Sequence, residues 1–145
     1  MAVTGTPYNH LMLCLLNGAM VLASDTLKLM LVSSAYTPDA EHTQIADVSA
    51  HEITGTNYTA GGQALTGVAA SRSGASAKLD AADLTFAALT ATFRYGVLYA
   101  DVTRGGLTGP LVGYFVLDSA DVVVSGVDYP VVWDAAGIIP LTRKD

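Results

Sequence analysis

The run of residues from 92 to 133 constrains the fold more than any other part of the chain. Aromatic and β-branched residues come there in short stretches separated by glycine-bearing turns, a pattern with the period of extended strands and too broken for helices. Residues 92–101 (TFRYGVLYAD) place Phe93, Tyr95, Val97 and Tyr99 on one face of a strand. Arg104-Gly105-Gly106 and Gly109-Pro110 supply a loop, and residues 111–117 (LVGYFVL) return as its antiparallel partner. A short strand is expected at 122–124, a turn at Ser125-Gly126, and a further strand at 127–133, where Pro130 suits a sheet edge or a bulge. Ala136-Gly137 turns into a last short strand at 138–142.

The first half fits the same architecture. In residues 27–33 (LKLMLVS), Leu27, Leu29 and Leu31 share one face and Lys28, Met30 and Val32 the other. Both faces are mostly apolar, which predicts a strand covered on both sides. Residues 8–17 (YNHLMLCLLN) fit either a buried strand or a helix; Asn17-Gly18 as a left-handed cap and the spacing of Leu11, Leu15 and Gly18 favour the helix. Residues 34–62 form a long structured loop, with a helical turn near 45–50 and a short strand at 52–54; a loop of that length inside a domain makes contacts or carries function. Residues 63–73 and 75–79 form a hairpin across Ser73-Gly74, followed by an acidic corner at 80–83. The sum is about seven to nine short strands with at most one or two short helices, a mainly β chain of the antiparallel sandwich or jelly-roll type. The expected organisation is an N-terminal arm at 1–10, one β-sandwich domain at 11–142, and a charged tail at 143–145.

Composition decides which functions such a domain can serve. Of 145 residues, 51% are hydrophobic and only 14% charged, so disorder is excluded. The longest unbroken apolar run, residues 11–16, is far short of the roughly 18–20 residues a bilayer requires. A domain this small with so few charges has too little polar surface to cover itself, and buried contacts between subunits are expected. The net charge of −6, with Lys28, Arg72, Lys78, Arg94 and Arg104 scattered singly, speaks against nucleic acid as a partner. Cys14 lies in an apolar run and reads as a small buried hydrophobe. Residues 1–10 lack the basic start of a secretory signal.

Motifs for chemistry start and fail. His51-Glu52 opens like a zinc-protease helix, yet Gly55 stands where the second imidazole belongs. Asp39, Glu41, His42, Asp47, His51 and Glu52 crowd the long loop without the fixed spacing of a metal site, and Asp80 and Asp83 lack the alternating ligands of a calcium loop. Gly61-Gly62 is followed by Gln63-Ala64, not by the Lys and hydroxyl of a phosphate cradle. No catalytic residue, cofactor or metal is expected. The aromatic set Tyr95, Tyr99, Tyr114, Phe115, Tyr129 and Trp133 fits a core or, alternatively, a ring face for sugars. Tyr36 and Tyr58, set among small polar residues, fit either interface anchors or pegs within the chain.

Six stretches carry a likeness to a known group: residues 25–39 (DTLKLMLVSSAYTPD) with His42, 53–62 (ITGTNYTAGG) with Leu65, 79–86 (LDAADLTF), 94–99 (RYGVLY), 110–114 (PLVGY) and 133–138 (WDAAGI). Over about residues 8–142 the chain resembles short virion structural proteins of tailed bacteriophages. The resemblance implies a non-enzymatic capsid decoration, or cement, protein on the outer surface of the head. Its partners would be the major capsid protein and copies of itself in a homo-oligomer, with no nucleic acid and no membrane. The alternative is a tail or head-fibre component that recognises host glycan. The expected contact residues are Tyr8, His10, Tyr36, Pro38 and Tyr58, from the arm and the long loop. The segment LMLCLL departs from the mixed polar helix of the resemblance, which predicts a more deeply buried terminus.

Overall fold

The computed structural model describes residues 2–143. In chain order the elements are β1 (Ala2–Val3), β2 (Thr6–Pro7), α1 (His10–Asn17), β3 (Leu27–Val32), two 3-10 turns (Ile45–Asp47 and Ser49–His51), β4 (Gln63–Ala64), β5 (Ala69–Ser73), β6 (Ser76–Asp80), β7 (Leu84–Phe93), β8 (Tyr95–Ala100), β9 (Thr103–Arg104), β10 (Leu107–Thr108), β11 (Leu111–Val116), β12 (Val122–Trp133) and β13 (Ile139–Thr142). The chain is mainly β and sandwich-like, with one α-helix among the described residues. A five-stranded sheet in the order β2-β11-β8-β3-β4 shares its core with a three-stranded sheet, β1-β12-β7. A second three-stranded sheet, β13-β6-β5, and the small hairpin β9-β10 complete the described residues.

The alternation in β3 works as its sequence predicts. Leu27, Leu29 and Leu31 enter the main core with Phe86, Leu89, Phe93, Phe115 and Trp133. Met30 and Val32 enter a second, smaller core on the opposite face, with Val97, Tyr99, Leu111 and Val48. The five-stranded sheet is therefore covered on both sides, on one by the sandwich and on the other by the long loop.

Three expectations about the strands are corrected. Phe93 does not share a face with Tyr95, Val97 and Tyr99: β7 ends at Phe93, and Arg94 carries the chain from one sheet to the other. The break resets the alternation, so Phe93 lies in the main core while Tyr95, Val97 and Tyr99 belong to the second. Arg94 is fixed there by its N–H to the Val32 carbonyl and by an ion pair with Asp121 at 3.0 Å. Ser125-Gly126 is not a reversal. β12 runs straight through it, with Gly126 at φ +65 taking up a register shift between Val124 and Val127. At 52–54 the structure has only the Val32–Glu52 bridge, not a strand. Pro130 sits in β12 beyond the reach of β1, which pairs only Val132 and Trp133.

Residues 2–7 are not a separate arm. β1 pairs parallel with β12, Ala2 opposite Val132 and Val3 opposite Trp133, and β2 pairs with β11, Thr6 opposite Tyr114 and Pro7 opposite Gly113. The apolar Val3 gains burial there that a free arm would forgo. Of the expected tail, residues 144–145 lie outside the described residues. α1 ends as predicted, with Gly18 left-handed at φ +76. Among the described residues no helix is long and apolar enough to cross a membrane.

Candidate functional site

The loop residues expected to face a partner turn inward. Tyr8 and Tyr36 are 1% and 2% exposed, and their hydroxyls lie 2.8 Å apart. The Tyr36 hydroxyl also meets His42 Nδ1 at 3.3 Å, and its ring packs near His51 and edge-on to Tyr95. Burial raises both phenols above their ordinary value, strongly for Tyr8, where the bond to Tyr36 adds to it; for Tyr36 that same bond works against the burial. Two aromatic rings with their polar ends satisfied by each other make an internal peg rather than a docking handle, which corrects the expectation for both residues.

Tyr58 is also an internal peg. Its hydroxyl accepts the Leu31 N–H at 3.1 Å and donates to Glu52 Oε1 at 2.8 Å. The same carboxylate oxygen accepts the Gly61 N–H at 2.6 Å, and Tyr99 donates to the Gly61 carbonyl at 2.6 Å. Burial raises the Tyr58 phenol strongly and pushes Tyr99 up to about 12. His10 and Pro38 are half-buried, at the start of α1 and in the loop before Asp39.

The acidic side chains of the loop serve its backbone. Asp47 accepts the N–H groups of Thr43 and Gln44, the first of which contributes most to holding its carboxyl below the usual range. Asp39 accepts the Glu41 N–H, and Asn9 donates to Glu41. At the acidic corner, Asp83 accepts the Trp133 N–H and Asp80 that of Ala81. Among the described residues no group of three or more His, Cys, Asp and Glu side chains gathers as a metal site.

Exposed apolar surface lies elsewhere, on α1 and just after it. α1 buries Leu11 and Cys14, and burial raises the Cys14 thiol. Its outward side carries no charge: Met12, Leu13 and Leu16 are 52%, 51% and 86% exposed. The expectation of a more deeply buried terminus is thus corrected, because a helix apolar all round can hide only one side against one sheet. Just beyond it, Val21 is also exposed, at the lip of an open apolar groove of about 430 Å³. Leu15, Met20 and Leu22 form one wall of the groove, and Leu79, Ile139 and Leu141 the other. Sequence reasoning placed no contact residues here, although LMLCLL, lacking any polar position at helical spacing, was the signal for them. Of the aromatic set, Tyr99, Phe115 and Trp133 are buried and Tyr95, Tyr114 and Tyr129 half-buried.

No protein-family model, curated protein or solved structure matches this chain.

Proposed function

We propose that this chain is a non-enzymatic structural protein of a tailed-bacteriophage particle, a decoration protein that binds the outer face of the head and bridges capsid subunits. The observation that carries the reading is the uncharged outer face of α1, where Met12, Leu13 and Leu16 lie exposed beside the apolar groove at Val21. Full burial of a leucine or methionine side chain is worth roughly 1.5–3 kcal/mol, so covering this patch supplies modest affinity per copy. On a repetitive lattice modest contacts suffice, because neighbouring copies and multiple attachment points add to each one. The resemblance over about residues 8–142 supports the same reading, and the net charge of −6 suits a protein outside a shell whose nucleic acid lies within. The exposed apolar side chains are aliphatic, which favours docking on protein over ring stacking on a sugar.

The test uses Leu16→Glu and Leu13→Gln. Both positions are exposed, so the variants keep the melting behaviour of the wild type. In particles assembled with either variant the number of bound copies falls and the heads break at lower temperature. Unchanged occupancy with both variants would overturn the role of this face.

A further inference from the structure

The edges of the sheets differ in one respect. An unpaired edge strand offers a row of free N–H and C=O groups to any other strand, and proteins block such edges with proline, bulges or brevity. Here β2 carries Pro7, β13 carries Pro140, and β4 has two residues. β7 is bent at Ala88 (φ +47), and Thr56 bridges it at Thr90. β5 has none of these devices. It is five residues long, exposed throughout, free of proline, and in unbroken register with β6 from Ala69–Asp80 to Ser73–Ser76.

The hairpin geometry fixes which of its groups face outward. Gly74 (φ +60) and Ala75 form a two-residue loop closed by Ser73 and Ser76, and the closing pair of such a loop is hydrogen-bonded. Alternation then turns the amides of Ser73, Ser71 and Ala69 toward β6 and those of Ala70 and Arg72 away from it.

We propose that β5 is a self-association edge, at which two copies pair antiparallel about Ser71 and join two three-stranded sheets into one. In this register Ala70 stands opposite the second copy's Arg72, and these are the two residues whose amides face outward, so each such pair exchanges both of its hydrogen bonds. No like charges meet. A register centred on Arg72 would oppose two guanidinium groups, and one centred on Ala70 would leave Ser73 unpaired. Ala70 also lines the apolar groove, so the aliphatic stem of the second copy's Arg72 lies along its rim. The inference deepens the self-association contained in the function proposed above and does not depend on membership of a virion.

Sedimentation equilibrium of the full chain tests it. The wild type should associate to twice its 15.0 kDa mass. Ala70→Lys, which sets lysine opposite arginine at two symmetric pairs, should weaken association about tenfold, and Ala70→Glu should tighten it about tenfold in a salt-sensitive way. Arg72→Pro, which removes an outward N–H and leaves the bonds to β6 intact, should abolish it. Should Arg72→Pro fail to fold, the opposed effects of the two Ala70 variants still decide. A wild type that stays monomeric at about 1 mM, or an association constant that neither Ala70 variant moves, would overturn the proposal. Particles that lack the chain, with the β5-dependent dimer intact, would remove the virion reading alone.

Discussion

The hydroxyl of Tyr8 lies 2.8 Å from that of Tyr36, and through this contact the first residues of the chain hold down the long loop over the outer face of the five-stranded sheet. Residues distant in sequence thereby close the second core, with half-buried His42 next to the Tyr36 hydroxyl.

Tyr8→Phe removes the shared hydrogen bond and leaves Tyr36 its contact with His42, at an expected loss of about 1 kcal/mol. Tyr36→Ala empties a site packed on Tyr95 and His51 and should lose about 3–5 kcal/mol. Urea unfolding of both variants measures the difference. Equal losses would show that the ring packing contributes nothing.

Alkaline pH acts through the raised phenols of Tyr8, Tyr36, Tyr58, Tyr99 and Tyr129. Their folded pKa values exceed the unfolded value of 10.0, so the stability they contribute is complete below that pH and is lost as pH rises through the folded values. Tyrosinate absorbance from these residues should therefore rise together with loss of near-ultraviolet circular dichroism. Full ionisation near pH 10 with the fold intact would contradict their burial.

Deleting residues 2–7 removes strands from two sheets and the buried Val3. A loss of about 3–5 kcal/mol is expected from the missing ladder bonds and apolar burial. Calorimetry should show a much lower melting temperature; an unchanged one would restore the segment as a dispensable arm.

Asp25 meets Arg104 through both carboxylate oxygens at 3.1 Å and accepts the Val21 N–H at 2.8 Å. Burial opposes its ionisation, but the bonds from Arg104 and Val21 outweigh that and hold its carboxyl below the ordinary 3.8. Its contribution is thus present above that value and fades as pH falls through the lower folded value. Asp25→Asn should lose about 1 kcal/mol at neutral pH, a figure kept low by the exposure of Arg104. Denaturation series across acid pH should show the gap to wild type narrowing below pH 4.

Fold class and the two-sided burial of β3 were legible because alternation in Leu27–Val32 reports burial directly. The switch at Arg94 was not, since a period of two continues in sequence across a residue that carries the chain to another sheet. Ser125-Gly126 has the sequence of a turn because a glycine supplies a positive φ equally to a reversal and to a bulge. For Tyr36 and Tyr58 the residue type allowed both an interface anchor and an internal peg. Only the placement of Tyr8, Glu52 and Gly61 as hydrogen-bond partners decides between them. The exposed face of α1 was written in LMLCLL, but hydrophobicity alone does not say which side of a helix the sheet covers.

Counting copies of the chain in purified phage particles by quantitative mass spectrometry tests the central proposal most directly. A head decoration protein is present in hundreds of copies per particle, in fixed proportion to the major capsid protein. A handful of copies would place it in the tail, and its absence from intact particles would contradict the account.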